Sequence, residues 1–321
     1  MNTIPTTSKN PRIPYTIVGG RKSDKKLSLS PVLSLLVLNR GGRPYKAEYL
    51  KHLESLGDVE IMSVQGPQTT YDVESLSIRF PQVKFLILGK KASPGEQINI
   101  GIMEASGRSV MVFWDDMRPG YRFTERFLNQ LDKSEDLCSV PILQSTKYET
   151  VPSLMAPSFY GNRLKMISLM PSANGAETLY PFDYSGIYNK EKFLLSGGFD
   201  FNIINEYWQK MDFGFRVHMW GESISFNTGI KIEYLIDQLP EDTTPDKFYK
   251  MFYLKNLIPQ FSGDNASVSW SKFLSYTIKS GSSLLSSIKE YKAAIEWVEI
   301  NKFRFICDAR QVTNLWEVKE Q

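Results

Sequence analysis

Residues 94–116, PGEQINIGIMEASGRSVMVFWDD, join a helix pattern to a buried strand that ends in two acids. Ser93 precedes the proline that opens this stretch; serine is a preferred N-cap, and proline is favoured at the first helical position. A helix is therefore predicted over 94–105. The run SVMVFW that follows is almost continuously apolar, as expected of a parallel strand buried on both faces. This unit places Asp115 and Asp116 at the carboxyl end of a buried strand.

Strand and helix patterns alternate on both sides of this unit. The rhythm is typical of the α/β class, and it predicts a doubly wound, mostly parallel sheet flanked by helices. Residues 144–181 are rich in proline and serine and show no regular pattern, which favours a long binding loop. Apolar runs predict strands over 31–38, 58–64, 83–88, 109–114 and 137–143, and helical patterns cover 45–56, 191–196, 205–220 and 245–257.

The excess of basic residues is concentrated at the N-terminus. Residues 1–30 contain six Lys or Arg and one acid, whereas the remainder of the chain contains 32 basic and 34 acidic residues. The body of the chain is therefore not a basic surface, which argues against a nucleic-acid partner. Residues 1–29 are predicted to be a disordered tail, which either solubilises the protein or makes a weak contact with acidic lipid. A sheet domain over 30–240 and a helical C-terminal extension over 241–321 follow.

The two cysteines and two histidines exclude several classes of protein. Cys138 and Cys307 are far apart in apolar surroundings, which predicts two reduced, buried thiols in a cytoplasmic chain rather than a disulfide frame. His52 and His218 lie outside any zinc-binding motif. The sequence shows neither a signal-peptide pattern nor an apolar stretch long enough to span a membrane. We therefore expect a cytoplasmic protein whose membrane association, if any, is peripheral contact at the inner face.

The acid pair at the end of the strand can be interpreted in two ways. In an open α/β sheet, ligands bind at the carboxyl ends of the strands, and adjacent buried carboxylates need a compensating charge. Mg²⁺ and Mn²⁺ are suitable compensators, because both prefer carboxylate and phosphate oxygens. Alternatively, Asp115 and Asp116 only open a turn before Pro119. Their spacing alone does not separate these two interpretations.

The order of five segments along residues 31–259 resembles the family 2 glycosyltransferases, which have a GT-A fold. The second segment matches the family pattern at Gly95, Asn99, Gly101, Ala105 and Gly107. The segments, in chain order, are VLSLLVLNR, PGEQINIGIMEASGRSVMVFWDD, YSGIYNKEKFLLSGGFD, MDFGFRVHMWGESISF and FYKMFYLKNLIP. This resemblance implies a nucleotide-diphosphate-sugar donor. The sugar would pass to a hydroxyl of a glycan, a lipid-linked glycan or a protein.

The resemblance also assigns roles at the donor end. Asp115 would contact the nucleotide ribose or the metal, and Asp116 would ligate an Mg²⁺ or Mn²⁺ ion that bridges the diphosphate. Asn39 and Arg40 end the first strand, where they would approach the nucleotide unless they serve only as a turn cap and a solvated charge.

Two more donor positions have alternative interpretations. Asn99 would face the donor or else bond to the backbone. Family members usually carry an Asp near the end of the second strand that reads the base, and this chain has Gln65 there. Either Gln65 substitutes for that Asp or recognition of the base is altered.

The residues expected to activate the acceptor are replaced. Inverting family members usually present Glu-Asp at the start of the helix that follows Gly-Gly-Phe-Asp, and this chain has Gln209 and Lys210 at those positions. Asp212 is the first candidate for the catalytic base and Glu206 is the second. Asp212 lies four residues before Arg216 on the predicted helix, a spacing that suits a structural ion pair equally well.

Other residues bear on the acceptor side and on rival functions. The resemblance places Gly197, Gly198, Asp200 and Trp208 near the acceptor. The replaced catalytic pair also suits a GT-A-like binding or scaffolding partner without turnover. The loop NRGGR at 39–43 is a faint version of a nucleotidyltransferase loop. The C-terminal helices carry four apolar residues that could dock on the sheet, pair in a dimer or rest on a membrane surface. Because lysines and acids are mixed along these helices and are not sorted into a basic face, packing within the molecule is the expected outcome. The sequence does not indicate an oligomeric state. The four apolar residues are Leu274, Ile278, Leu285 and Ile288.

Overall fold

In a computed structural model of the chain, the helix–strand rhythm read from the sequence is present throughout the first half. The structure describes residues 13–20, 32–40, 47–67, 73–120, 122–161, 163–237, 241–281 and 283–317. The strands are β1 (Tyr15–Gly19), β2 (Leu33–Leu38), β3 (Glu60–Gln65), β4 (Lys84–Leu88), β5 (Ser109–Trp114), β6 (Met117–Pro119), β7 (Cys138–Gln144), β8 (Leu154–Tyr160), β9 (Arg163–Leu169), β10 (Gly186–Asn189), β11 (Ile224–Tyr234), β12 (Gln260–Ser262) and β13 (Asn265–Ser267). The helices are α1 (Ala47–Ser55), α2 (Val73–Arg79), α3 (Pro94–Glu104), α4 (Glu125–Leu131), α5 (Lys190–Ser196), α6 (Glu206–Met219), α7 (Lys247–Phe252), α8 (Phe273–Ser280), α9 (Leu284–Asn301) and α10 (Ala309–Glu317).

The main sheet has the strand order β1-β4-β3-β2-β5-β10-β7-β11-β6. Strands β4, β3, β2 and β5 pair in parallel. Strand β10 is antiparallel to both of its neighbours, β5 and β7, and β11 is parallel to β7. Strands β7 and β11 therefore run in the same direction as β5. The predicted α/β doubly wound, mostly parallel sheet flanked by helices is confirmed, with β10 inside the sheet and β1 and β6 at its edges running in the opposite direction.

Helix α3 begins and packs where local sequence signals place it. The Ser93 hydroxyl accepts a hydrogen bond from the Glu96 amide, and the Glu96 carboxylate accepts one from the Ser93 amide at 3.0 Å. This capping box fixes the start of the helix. A side chain at Gly101 would collide with Leu36 of β2, so the glycine lets the helix lie close against the sheet. Helix α3 thereby supports the central strands.

Two predictions of irregular structure are wrong. Within the tail predicted to be disordered, 1–29, strand β1 pairs antiparallel with β4 at the sheet edge. Residues 1–12 and 21–31 of that tail lie outside the described residues. The loop predicted over 144–181 contains the antiparallel hairpin β8–β9. Pro157 interrupts the apolar pattern of β8, and a proline within a run argues against a strand.

The C-terminal part of the chain is mainly helical, as expected over 241–321. A short hairpin, β12–β13, is added to the helices, and α7 continues into a π-helical turn at Tyr253–Leu257. The expected boundary at 240 and 241 adjoins residues 238–240, which are not described. Cys138 is a buried free thiol as predicted, whereas Cys307 is a free thiol that is only partly buried. Among the described helices, none combines the length and apolar character needed to cross a bilayer.

Candidate donor and acceptor site

The carboxyl ends of β2 and β5 bring the predicted donor residues together. Leu38 lies opposite Trp114 in the parallel register, so the residues after these two strands share one edge of the sheet. The Asp115 amide donates to the Leu38 carbonyl at 2.9 Å, and the Arg40 amide lies 3.4 Å from an Asp115 carboxylate oxygen. Asn39 is half-buried at the same edge. This arrangement follows from the topology, because parallel neighbours end on the same side.

Arg40 holds two carboxylates at this edge. Its Nε donates to Asp116 Oδ2 at 2.8 Å, and its Nη2 pairs with the Asp183 carboxylate. The guanidinium lies over the ring of Trp114, 4.2 Å from the ring centroid. Arg40 is therefore an ion-paired residue whose side chain keeps 32% of its surface exposed, and it cannot leave the site without breaking two ion pairs.

Asp183 is a site residue that the sequence did not indicate. Its carboxylate also accepts from the Tyr234 hydroxyl at 3.0 Å, and its carbonyl accepts from Trp114 Nε1 at 2.9 Å. Asp183 and Tyr184 both have positive φ values, 51° and 61°. Such strain costs about 1–3 kcal/mol per residue, and it is found mainly at functional sites. The segment before β10 is thus held in a strained form next to the acid pair.

Burial leaves the acid pair short of compensating charge. Burial raises the pKa of Asp115 from 3.8 to about 6. The hydrogen bond from the backbone amide of Arg40 lowers this pKa, whereas the neighbouring Asp116 carboxylate raises it further. Burial also raises the pKa of Asp116, with Asp183 adding to it and Arg40 opposing it. Asp116 Oδ1 is buried and has no hydrogen-bond partner among the described residues. Among the described residues of this edge, the carboxylates of Asp115, Asp116 and Asp183 face the single guanidinium of Arg40, and a further cation would balance their negative charge.

The acid pair suits an Mg²⁺ or Mn²⁺ ion that also binds a ligand. The described residues contain no cluster of three or more Asp, Glu, His or Cys side chains arranged to hold a metal. Mg²⁺ usually takes only one or two protein carboxylates and completes its shell with phosphate oxygens and water. Asp115 and the unpaired Oδ1 of Asp116 would supply the two carboxylate ligands of such a site. The residues therefore fit a metal that arrives with a diphosphate.

The raised pKa of Asp115 predicts an unusual dependence of stability on pH. Because the pKa is about 6 in the folded protein and about 3.8 when unperturbed, the ionised carboxylate destabilises the folded state. Asp115→Asn should leave stability unchanged near pH 4 and increase it by up to about 2–3 kcal/mol above pH 6. Urea unfolding of both proteins at several pH values in metal-free buffer measures the difference. A difference that does not change with pH would contradict the assignment.

The two remaining donor predictions have different outcomes. Gln65 is fully buried at the end of β3; its Nε2 donates to Ser63 Oγ at 2.5 Å, and its Oε1 has no partner among the described residues. Asn99 donates to the Phe199 carbonyl at 2.8 Å and accepts from the Phe199 amide at 2.9 Å. Asn99 therefore fixes the loop after α5, which is the backbone-bonding alternative. Gln65 keeps a buried acceptor oxygen without a partner among the described residues.

Asp212, the first candidate for the catalytic base, lies in a buried ion network. Its side chain is fully buried, and it accepts from Asn256 Nδ2 at 2.8 Å and from Arg216 Nη2 at 3.4 Å. Lys255 Nζ lies 3.9 Å away. Arg216 also donates to the carbonyls of Ser196 and Gly198. The geometry supports the structural ion pair and not a base that meets an acceptor. Glu206, by contrast, is exposed in the first turn of α6.

The two residues in the usual catalytic positions have distinct roles. Gln209 is buried and joins several segments by hydrogen bonds. Its Oε1 accepts from the Gly95 amide and the Tyr184 hydroxyl, and its Nε2 donates to Ser93 and to two carbonyls of the loop that precedes α6. Lys210 is only 2% exposed, and its ammonium pairs with the carboxylate of Glu241. The pair brings Glu241, which the sequence did not indicate, to the face of α6 next to Tyr184.

The surroundings of Glu241 connect it to the donor edge. Lys210 Nζ lies 4.9 Å from the ring centroid of Tyr184, the residue after Asp183. Glu241 also accepts from the Tyr180 hydroxyl at 3.3 Å. The Glu241 side chain keeps 19% of its surface exposed. Glu241 is therefore a carboxylate that is held in place and still reaches solvent.

The residues predicted near the acceptor are mainly structural. Gly197 and Gly198 have φ values of 88° and 62° and end α5 in a left-handed turn. Lys255 Nζ lies 2.5 Å from the Asp200 carboxylate; although burial opposes it, this ammonium lowers the pKa of Asp200 to about 2. Trp208 is buried, and its Nε1 donates to the Thr244 carbonyl at 3.1 Å. These contacts shape the acceptor side without offering free groups.

Comparison with known proteins shows the class of fold. No protein-family model and no curated protein sequence matches the chain. The crystal structure of GalNAc-T7 with UDP, GalNAc and Mn²⁺ matches 85% of this chain with a TM-score of 0.53 at 11% identity. The chain spans 57% of the length of that protein. S. aureus TarS 1-349 in complex with UDP-GlcNAc matches 84% of this chain and 81% of its own, with a TM-score of 0.51 at 14% identity. The chain therefore has the GT-A glycosyltransferase fold.

Proposed function

We propose that this protein is a glycosyltransferase that moves a sugar from a nucleotide-diphosphate donor to an acceptor hydroxyl with the help of Mg²⁺ or Mn²⁺. The acceptor is a glycan, a lipid-linked glycan or a protein. The observation that carries the proposal is the undercompensated acid pair, Asp115 and Asp116, at the carboxyl edge of the parallel strands. The UDP-GlcNAc bound by TarS and the UDP and Mn²⁺ bound by GalNAc-T7 support the same assignment.

At the donor end, the chain supplies oxygens and one guanidinium. Asp115 and Asp116 Oδ1 would hold the metal, which when bound neutralises charge on the departing diphosphate. Arg40 Nε pairs with Oδ2 of Asp116 and leaves Oδ1 without a partner among the described residues. Gln65 is fully buried at the end of β3, so its unpartnered Oε1 would accept from an N–H of the nucleotide base only after the side chain turns toward the edge of the sheet.

At the acceptor end, Glu241 replaces Asp212 in the proposal. A Glu241 carboxylate oxygen takes the proton of the acceptor hydroxyl while the hydroxyl oxygen bonds to the anomeric carbon of the sugar. The bond from that carbon to the diphosphate breaks, and its electron pair leaves with the nucleoside diphosphate. Lys210 holds the carboxylate in place throughout. In this step Glu241 supplies the carboxylate that family members usually carry at the position of Lys210.

The proposal is tested by calorimetry with UDP and GDP, with and without Mn²⁺, followed by an assay of sugar release from UDP- and GDP-sugars. We expect metal-dependent binding of one nucleotide, and turnover that falls about 100-fold or more in Glu241→Gln but not in the matched variant Glu206→Gln. Full turnover in both variants would remove Glu241 as the base.

Other outcomes select other functions. Binding without turnover in the wild type would identify a donor-binding partner instead of an enzyme. A preference for nucleoside triphosphates would indicate a nucleotidyltransferase. Failure to bind either diphosphate would overturn the proposed function.

A further inference from the structure

The turn between α8 and α9 exposes a group of aliphatic side chains. Leu274 and Ile278 lie one turn apart on α8 and are 70% and 83% exposed. Leu284 and Leu285 open α9 and are 58% and 81% exposed. These four residues are named here the α8–α9 tip. Three of them, Leu274, Ile278 and Leu285, were expected to pack within the molecule. That expectation is wrong for all three.

The opposite face of the same two helices is well packed. Tyr276 is buried, stacks on Tyr253 at 6.3 Å between ring centroids, and lies 5.9 Å from the ring of Tyr291. The Tyr276 hydroxyl donates to Glu290 at 2.5 Å, and the Tyr291 hydroxyl donates to the Ser269 carbonyl at 2.6 Å. The two helices are therefore fixed in orientation by their inner face. Because that inner face fixes both helices, the tip stays exposed in this fold.

The residues around the tip carry a net positive charge. Residues 272–292 contain four lysines and a single acid, Glu290. Glu290 turns inward, where it accepts from Tyr276 and from the Ser286 hydroxyl. Lys289 and Lys292 are exposed and follow Leu285 by four and seven residues, so they share its face of α9. Aliphatic residues at a tip, with lysines behind them on the same face, suit an interface between an apolar phase and an anionic layer.

From this placement we propose that the α8–α9 tip docks the protein on the surface of an anionic lipid bilayer. The four aliphatic side chains enter the boundary between headgroups and acyl chains, and Lys289 and Lys292 lie at the level of the lipid phosphates. The positive charge of the tip favours an anionic bilayer over a second copy of the chain, because two copies joined through the tip would place two positive segments next to each other, where they would repel. The proposal does not depend on the proposed function.

The test measures co-sedimentation of the full chain with vesicles of phosphatidylcholine alone or with added phosphatidylglycerol. We expect binding only with phosphatidylglycerol. Ile278→Ser/Leu285→Ser and, separately, Lys289→Glu/Lys292→Glu should each weaken it about tenfold or more. The matched control is Ile300→Ser/Phe303→Ser, which removes side chains that are 63% and 74% exposed near the other end of α9. That end lies about 20 Å from the tip, so the control should bind like the wild type.

Three results would overturn the proposal. One is the absence of any binding to vesicles that contain phosphatidylglycerol. Another is binding that survives both tip variants, which would assign it to another part of the chain such as the basic N-terminus. The third is a dimer in sedimentation velocity that dissociates in Ile278→Ser/Leu285→Ser while vesicle binding is unchanged. That result would identify the tip as an interface between copies of the chain.

Discussion

Asp116→Asn is expected to weaken the binding of the preferred nucleoside diphosphate with Mn²⁺ by about 100-fold or more, while the protein stays folded. The reason is the buried Oδ1, which has no partner among the described residues and is the group best placed to meet a metal. Asparagine keeps the shape of the side chain and an acceptor for Arg40 Nε, but it loses the charge. Calorimetry with UDP and GDP, with Mn²⁺ and with EDTA, measures the effect.

The stability of Asp116→Asn separates a binding role from a structural one. Because burial raises the pKa of Asp116, removing its charge should leave the free energy of unfolding unchanged or increase it. The matched control is Asp132→Asn, which removes a carboxylate from the exposed ion pair with Arg108 and should bind the nucleotide normally. Equal affinity of the Asp116 variant and the wild type in Mn²⁺ would contradict the donor assignment.

Asp212→Ala is expected to have the opposite profile, with a loss of about 3–5 kcal/mol in the free energy of unfolding. The substitution leaves the Arg216 guanidinium, which is 5% exposed, without its carboxylate partner, and it also removes the acceptor of the Asn256 amide. Urea unfolding monitored by fluorescence measures the loss. Burial of an unpaired charge is the physical cause, and any effect on activity should follow the fraction of folded protein.

Glu206→Ala provides the comparison for Asp212→Ala on the same helix. Glu206 is exposed in the first turn of α6, so its removal should change stability by no more than about 0.5 kcal/mol. A variant Asp212→Ala that keeps the stability of the wild type but loses turnover would restore Asp212 as the catalytic base.

Sequence reasoning was most accurate where short-range signals decide the structure. Helix α3 was predicted at 94–105 and observed at Pro94–Glu104, because Ser93, Pro94 and Glu96 form the cap locally. Strand β5 was predicted at its observed bounds, Ser109–Trp114, since a continuous apolar run next to a glycine has few alternatives. The place of Asp115 at the end of this strand also followed from the sequence, because the apolar run ends directly before it.

The contacts that sequence reasoning missed join residues far apart in the chain. Asp183 meets Arg40 across 143 positions, and its strained backbone follows no motif in PFDYS. Glu241 reaches Lys210 across 31 positions and from a different element. Neither pairing has a period or a spacing to detect, because the tertiary fold alone brings the partners together. For the same reason the sequence could not decide between the ion pair and the catalytic role of Asp212.

Strand β1 has a practical consequence for shortened forms of the protein. Its five residues cover the outer edge of β4, whose backbone N–H and C=O groups would otherwise be open to pairing with another chain. Forms of the protein trimmed to residue 30, at the apparent start of the sheet domain, would lose this cover. The edge of the sheet would then be β4, which is more buried than the exposed strand β1 that forms the edge of the intact sheet. Strand β1 is therefore part of the folded sheet, and a fusion tag is better placed ahead of the N-terminal segment than in place of it.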